Sequence, residues 1–329
     1  MNNVTAQILH RLSKAGDFLS GEELCLEFGI TRSAVWKHIQ LLRAEGYHVD
    51  AITGLGYRLS GLTGRPVEAE VAPFLNSSRF GRHILYHGVT VSTNFLAKSL
   101  AGDGSPEGTM VVADSQTGGR GRMGRTWVSP SGVNLYFSLI LRPELPSIRV
   151  PQLTLLVAAA IHQALSSVAP DLDPLIKWPN DILLNGRKVC GVLCEMQSEP
   201  DFTHFVVVGI GINVNQTELT TELQEIATSL FLETGRLFSR PELLASVLNH
   251  FEPLYDAWLL QDDLGFILPY LEKYSLLQSK QVTVDQLKQT ISGKVSGISP
   301  GGELMLDGKD GQTLLVSSGE AHLRKEHFN

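Results

Sequence analysis

At 329 residues, with 43% hydrophobic and 19% charged side chains, the chain has room for two or three compact units and is too apolar for a disordered or fibrous polymer. Its net charge of −7 excludes a protein that coats nucleic acid with its whole surface, so any DNA contact must be local. No uninterrupted apolar run approaches the roughly 18 residues that span a bilayer, residues 1–5 lack the basic and apolar regions of a signal peptide, and three cysteines cannot all pair; the expectation is a cytoplasmic, reducing location with no membrane partner.

The first 64 residues predict three short helices and a hairpin. Residues 5–15 put Ile8, Leu9 and Leu12 on one face and stop at Gly16. Ser20 with Glu23 three residues later is a capping box, and Thr31 caps a third helix whose Ala34, Val35, Ile39 and Leu42 face inward. The short turn Phe28-Gly29-Ile30-Thr31 between them suits a helix-turn-helix. Strand-like residues 47–52 and 57–59 flank Thr53-Gly54-Leu55-Gly56, which completes a winged helix. Six basic residues in this segment are balanced by six acids, but the third helix carries none of the acids. Thr31, Arg32, Ser33, Lys37, His38 and Gln40 are therefore the candidate DNA-reading residues. A winged helix used only for protein contact is the alternative. Residues 60–66, rich in glycine and with Pro66, have little to bury and predict a linker.

Residues 65–275 mix strands (108–113, 134–141, 205–212) with a long apolar helix over 150–168 and another opening at Ser239-Arg240-Pro241-Glu242, an α+β domain. Four motifs in it carry chemistry. Ser92-Thr93-Asn94 precedes a helix; an N-cap and a contact to a small polar ligand both fit. Gln116-Thr117-Gly118-Gly119-Arg120-Gly121-Arg122-Met123-Gly124-Arg125-Thr126-Trp127 interleaves glycines and arginines, a backbone able to wrap an anion with guanidinium groups to neutralise it. It matches neither the Walker loop nor the dinucleotide fingerprint, and a flexible surface loop is its plainer reading. Lys177-Trp178-Pro179-Asn180-Asp181 leads into a hairpin turning at Asn185-Gly186, which sets Lys188 on a strand, well placed to meet an α-phosphate; taken alone, Lys188 reads rather as a solvated hairpin charge. Gly209-Ile210-Gly211-Ile212-Asn213 ends an apolar strand with small residues that let a ligand approach the backbone. Cys190 and Cys194 share one strand face and read as core rather than metal ligands, and no metal site is expected. The tail, 276–329, has short strand-like runs (281–284, 293–298, 303–306, 313–317) that fit a small β-barrel.

In this order the four motifs resemble the biotin–protein ligase family, and with the winged helix ahead of them its bifunctional repressor members. The resemblance spans essentially the whole chain. It implies a winged helix-turn-helix (1–64), a central domain like that of class II aminoacyl-tRNA synthetases and lipoate ligases (65–275), and a C-terminal SH3-like β-barrel (276–329). It implies ATP and biotin as substrates, magnesium, and a two-step reaction through biotinyl-5′-adenylate to a lysine of a biotin carboxyl carrier protein of acetyl-CoA carboxylase. It also implies a homodimer when adenylate is bound and an operator DNA as target. Ser92, Thr93, Asn94, Gln116, Arg120, Gly121, Arg122 and Lys188 match the family's biotin contacts, and Trp127 and Asn213 its adenine side, with Lys177 and Asn180 grouped there. Arg122 and Lys188 are expected to hold the attacking carboxylate and the α-phosphate together. Asp181 is expected to orient or help deprotonate the carrier lysine. Met123 stands where members with a longer basic run have arginine. A lipoate-type ligase on the same fold, or a ligand-responsive repressor without ligase activity, are the competing readings.

Overall fold

A computed structural model describes residues 3–199, 201–261, 263–286, 288–308 and 311–323. Met1 and Asn2, part of the segment read above for a signal peptide, and the end of the tail beyond 323 lie outside the described residues.

Helices α1 (Asn3–Ala15), α2 (Gly21–Phe28) and α3 (Arg32–Ala44) pack around Ile8, Leu9, Leu12, Leu24, Val35, Ile39 and Leu42, a core separate from that of the rest of the chain. Both predicted caps are present: Ser20 and Glu23 bond reciprocally, and Thr31 accepts from Ala34 N. Strands β1 (His48–Ile52) and β2 (Gly56–Gly61) pair antiparallel as the wing.

The linker is less free than its composition predicts. Glu70, on the short helix α4 (Glu68–Val71), is fully buried, and its carboxylate accepts from Thr63 N, Thr63 Oγ1 and Gly64 N. Buried carboxylates need such partners, and here they are linker groups. Ala69 packs into the winged-helix core and Val71 into the catalytic core.

The central sheet has seven strands in the order β3 (His83–Thr90), β4 (Thr109–Gln116), β5 (Leu135–Leu141), β9 (Phe202–Ile212), β8 (Arg187–Glu199), β7 (Asp181–Leu184) and β6 (Leu175–Lys177). Only β3 and β4 run parallel, with helix α5 (Thr93–Gly102) as their crossover. Helix α6 (Val150–Val168) lies on the other face against β8 and the long helix Arg240–Leu260. By length and composition the segment Ser147–Val168 comes closer to a membrane span than the sequence reading allows, its most apolar 18-residue window having a mean hydropathy of 1.3, but 72% of that window is buried as core of this protein. Cys190 and Cys194 belong to that core, and burial raises both thiols, Cys194 to about 11.

Two short helices, α7 (Thr221–Gln224) and α8 (Leu230–Thr234), follow β9; the long helix is α9 and is followed by α10 (Leu268–Lys273). The tail forms an antiparallel sheet in the order β13 (Thr313–Val316), β12 (Leu304–Asp307), β11 (Thr290–Ile298), β10 (Gln281–Asp285), β14 (Glu320–Leu323). Its apolar residues Val282, Val284, Val295, Leu304, Leu306 and Ala321 join the same continuous core as the central domain.

Candidate functional site

The cap that starts α5 builds the polar end of a cavity. Ser92 is extended and its Oγ accepts from Phe95 N, which turns Thr93 and Asn94 into the first helical turn, all three buried. From β4, Gln116 Oε1 accepts from Thr93 N at 2.9 Å, and its Nε2 donates to Ser129 Oγ at 3.0 Å, leaving one amide hydrogen uncommitted. Ser138 on β5 donates to Asn94 Oδ1 at 2.6 Å and lies 2.8 Å from Thr93 Oγ1.

The arginine–glycine segment is a defined loop, not a free surface tether. Gly118 N donates to Val91 O, Gly121 N to Arg125 O and Trp127 N to Gly119 O, at 2.8, 2.7 and 2.9 Å. Gly121 thus shapes the loop, since its N–H is used inside it. Met123 and Gly124 turn the tip with φ of 56° and 74°. The loop returns Trp127 onto the sheet, where its ring lies on the paired Gly191 and Gly211; a Cβ at these positions would stand 2.9 and 2.6 Å from ring atoms. Glycine is required there because the indole occupies the side-chain space.

Charged groups gather at the other end. Arg122 donates to Asn180 Oδ1 at 3.1 Å and toward Gly319 O at 3.4 Å. Burial lowers its pKa, while Asp181 and Glu320 oppose that, and a guanidinium keeps its charge. Asn180 is itself held by Val192 O, so it aims Arg122. Lys188 does not point to solvent: its Nζ is 2.6 Å from Asp181 Oδ1 and 5.4 Å from the centre of the Trp127 ring. The predicted Asn185-Gly186 hairpin forms, with a bulge between Ile182 and Leu183. Asn213 Nδ2 donates one hydrogen to Thr228 O at 2.9 Å, which orients the amide and leaves Oδ1 and the second amide hydrogen for a ligand.

These groups line one cavity of about 250 Å3 that includes every predicted ligand residue of the central domain: Ser92, Thr93, Asn94, Gln116, Arg120, Gly121, Arg122, Trp127, Lys177, Asn180, Asp181, Lys188 and Asn213. Arg120, Arg122, Arg125, Lys177 and Lys188 face Asp181 and Glu320 across it, a cation excess suited to an anion. Residues that sequence reasoning missed complete the wall. Behind the wall, fully buried Ser138 supports Thr93 and Asn94, and it carries a weak signal as a lone hydroxyl in an otherwise apolar strand. Gln216, Leu219 and Leu223 of the segment after β9, and Gly319, Glu320 and Ala321 of the tail, carry none. Glu320 takes both Arg125 Nη atoms, one at 2.8 Å, and that bond holds its carboxyl below the ordinary range.

On α3, Arg32, Ser33 and Lys37 are exposed, and Arg32 lies 3.4 Å from Glu22. His38 is half-buried, with Nδ1 2.8 Å from Thr5 Oγ1, a contact that ties α3 to α1. Trp36, not singled out from the sequence, is 54% exposed on the outward face.

Residues 87–213 match the model of the biotin/lipoate A/B protein ligase family, residues 4–58 an HTH domain and residues 280–324 the biotin protein ligase C-terminal domain. The chain is 42% identical to the bifunctional ligase/repressor BirA of Bacillus subtilis over 94% of its own length and 96% of that protein's. It is 30% identical to BirA of Escherichia coli over 98% of both. A solved biotin protein ligase from Aquifex aeolicus, in complex with biotin and ATP, superposes with a TM-score of 0.64 at 32% identity, covering 74% of this chain and 99% of that one. With a DNA-binding fold at its start and that ligase pocket behind it, the chain belongs to the biotin–protein ligases, in their bifunctional ligase/repressor branch.

Proposed function

We propose that the cavity between the arginine–glycine loop, β8, β9 and the tail is where this biotin–[acetyl-CoA-carboxylase] ligase joins biotin to ATP and holds the adenylate. The chain is an ATP-dependent biotin–protein ligase and a DNA-binding repressor. The observation that carries the assignment of residues is the convergence of a polar end (Ser92, Thr93, Asn94, Gln116) and a cationic end (Arg122, Lys188) in one cavity.

In the first step a biotin carboxylate oxygen bonds to the α-phosphorus of ATP and pyrophosphate leaves. Two anions must meet, and the added charge spreads over the phosphate oxygens. Arg122, aimed by Asn180, and Lys188, held by Asp181, supply fixed positive charge at that point without reorganisation. Arg120 and Lys177 extend the field toward the rest of the ligand. Trp127 offers a stacking face, and Asn213 Oδ1 an acceptor for the exocyclic amine of adenine.

In the second step the carrier lysine's amine attacks the acyl carbon, forming the amide and releasing AMP. The amine must arrive neutral, and Asp181 is the carboxylate positioned to orient it or accept its proton. Its pairing with Lys188 means that it also places that cation in the first step. Magnesium commonly keeps its waters and binds through substrate phosphates with one or two carboxylates. Among the described residues no group of three or more metal-ligating side chains is present, and Asp181 is the carboxylate that would meet an ion arriving on the triphosphate. Such an ion would neutralise the leaving pyrophosphate.

The division into 1–64, 65–275 and 276–329, the homodimer of the adenylate-bound form, the carrier domain as acceptor and the cytoplasm as compartment belong to this proposal. The separate winged-helix core supports the first boundary, and three free thiols suit a reducing compartment. The test is ATP–pyrophosphate exchange, expected with biotin and absent with lipoate, followed by a streptavidin blot of a carrier domain. Exchange driven by lipoate alone would reassign the pocket. Gel shifts and sedimentation with biotin and ATP added in turn test the repressor half, where an unchanged DNA affinity and an unchanged mass would remove the adenylate link.

A further inference from the structure

We propose that Glu195 is a positioning residue for ligand recognition: it fixes the side-chain amide of Asn94 so that its carbonyl, and not its NH2, is offered to the head group. The inference rests on the reading that the biotin ring occupies the polar end formed by Ser92, Thr93, Asn94 and Gln116.

On β8, Cys190, Val192 and Cys194 turn into the core against α6, so strand alternation turns Leu193 and Glu195 toward α5. There Glu195 Oε2 accepts from Asn94 Nδ2 at 2.9 Å, and Leu193 O lies 3.3 Å from the same nitrogen. The other carboxylate oxygen is held by Lys98 Nζ at 3.0 Å. A backbone carbonyl and a carboxylate only accept, so the Asn94 nitrogen must face both of them and its two hydrogens are consumed. Oδ1 is left on the opposite side, where Ser138 donates to it and where a Cβ on Gly209 would collide with it. One acceptor site of Oδ1 remains for a ligand.

Asn94 is 7% exposed, so this orientation is set by protein groups and not by water. Its consequence is a donor–acceptor pattern. Asn94 accepts, and the uncommitted hydrogen of Gln116 Nε2 donates, which complements the adjacent N–H and C=O of a cyclic urea. Without Glu195 the amide loses its charge-assisted anchor and can rotate, presenting a donor to the urea's own N–H. A site that hydrogen-bonds its substrate discriminates strongly only while its polar groups are held in the matching sense.

The experiment measures ATP–pyrophosphate exchange for wild type, Asn94→Ala, Glu195→Ala, Glu195→Gln and Lys98→Met, with biotin and with biotin methylated on the ureido nitrogens. Asn94→Ala and Glu195→Ala are expected to raise the KM for biotin about tenfold or more, with kcat and the KM for ATP within about twofold. Glu195→Gln is expected to restore the KM, because its amide oxygen accepts the same N–H, and Lys98→Met to leave it near wild type. Discrimination against methylated biotin should shrink several-fold in Glu195→Ala. A wild-type KM in Glu195→Ala, or a Gln variant as impaired as the Ala variant, overturns the proposal while Asn94→Ala stays impaired. An unchanged KM in Asn94→Ala itself overturns the ring placement instead. Should Glu195→Ala fail to fold, Glu195→Met removes the acceptor at similar length and takes the same tests.

Discussion

Arg240→Met tests whether the linker, the biotin end and the segment after β9 share one buried anchor. The guanidinium is 7% and its partner Asp114 15% exposed, with Arg240 Nη1 2.9 Å from Asp114 Oδ1. Arg240 also donates to Gly64 O in the linker at 3.1 Å and toward Asn134 O at 3.3 Å. Asp114 stands two residues before Gln116 and takes a second bond from Ser131; Asn134 holds Gln216 and Val214 N. Methionine keeps the stem but leaves a buried carboxylate without its cation, a loss of about 3–5 kcal/mol. In a protein of this size that lowers Tm by roughly 5–10 °C. Scanning calorimetry of Arg240→Met, Asp114→Asn and the double variant is the assay, with the double variant expected to recover at least half the loss because no unpaired charge remains. Limited proteolysis should also cut residues 60–66 faster in Arg240→Met. A Tm within about 1 °C of wild type, or a double variant no better than Arg240→Met, would refute the reasoning.

Lys188→Met should lower kcat for adenylate formation about 10²–10³-fold, the loss typical of one fixed charge at a transition state, and single-turnover formation of biotinyl-adenylate measures it. For the Arg125–Glu320 contact the pH dependence has a defined sign: Glu320 titrates below its ordinary 4.5, first because of the hydrogen bond from Arg125, so its hold on the loop is complete above that value and fades as pH falls through the lower folded one. The Tm difference between wild type and Glu320→Gln should therefore be flat above about pH 5 and shrink below about pH 4.5; a difference constant down to pH 3 would count against it. Lys37→Ala should weaken operator binding across sequences and lower the salt slope by about 1 if Lys37 meets a phosphate, as gel shifts at several salt concentrations will show.

The winged helix was legible because its signals are local: Ser20, Glu23 and Thr31 cap the helices that their spacing announces. His38 shows the limit, since its inward turn depends on Thr5 across the bundle, which helical periodicity does not reveal. Strand β3 escaped the sequence reading because it is a sheet edge, with polar His83 and His87 and a glycine breaking the alternation. The ligand residues could be listed because they cluster in four motifs, but Lys188 facing inward depends on a bulge and on Asp181. The far wall was not legible at all: Gly319 and Glu320 stand 197 and 195 residues from the arginines they meet, and short polar stretches of a small β-domain look alike wherever they end up.

The short helix between the DNA-binding fold and the ligase bears on how such genes can be rearranged. Ala69 and Val71 serve different cores, and between them Glu70 draws its donors from residues 63 and 64. A crossover that began the ligase at residue 65 would leave a buried carboxylate stripped of two of its partners and an alanine facing an empty neighbour. Losing the regulator in one recombination event would therefore yield a weakened enzyme, and descendants that keep only the ligase would need compensating changes at this seam.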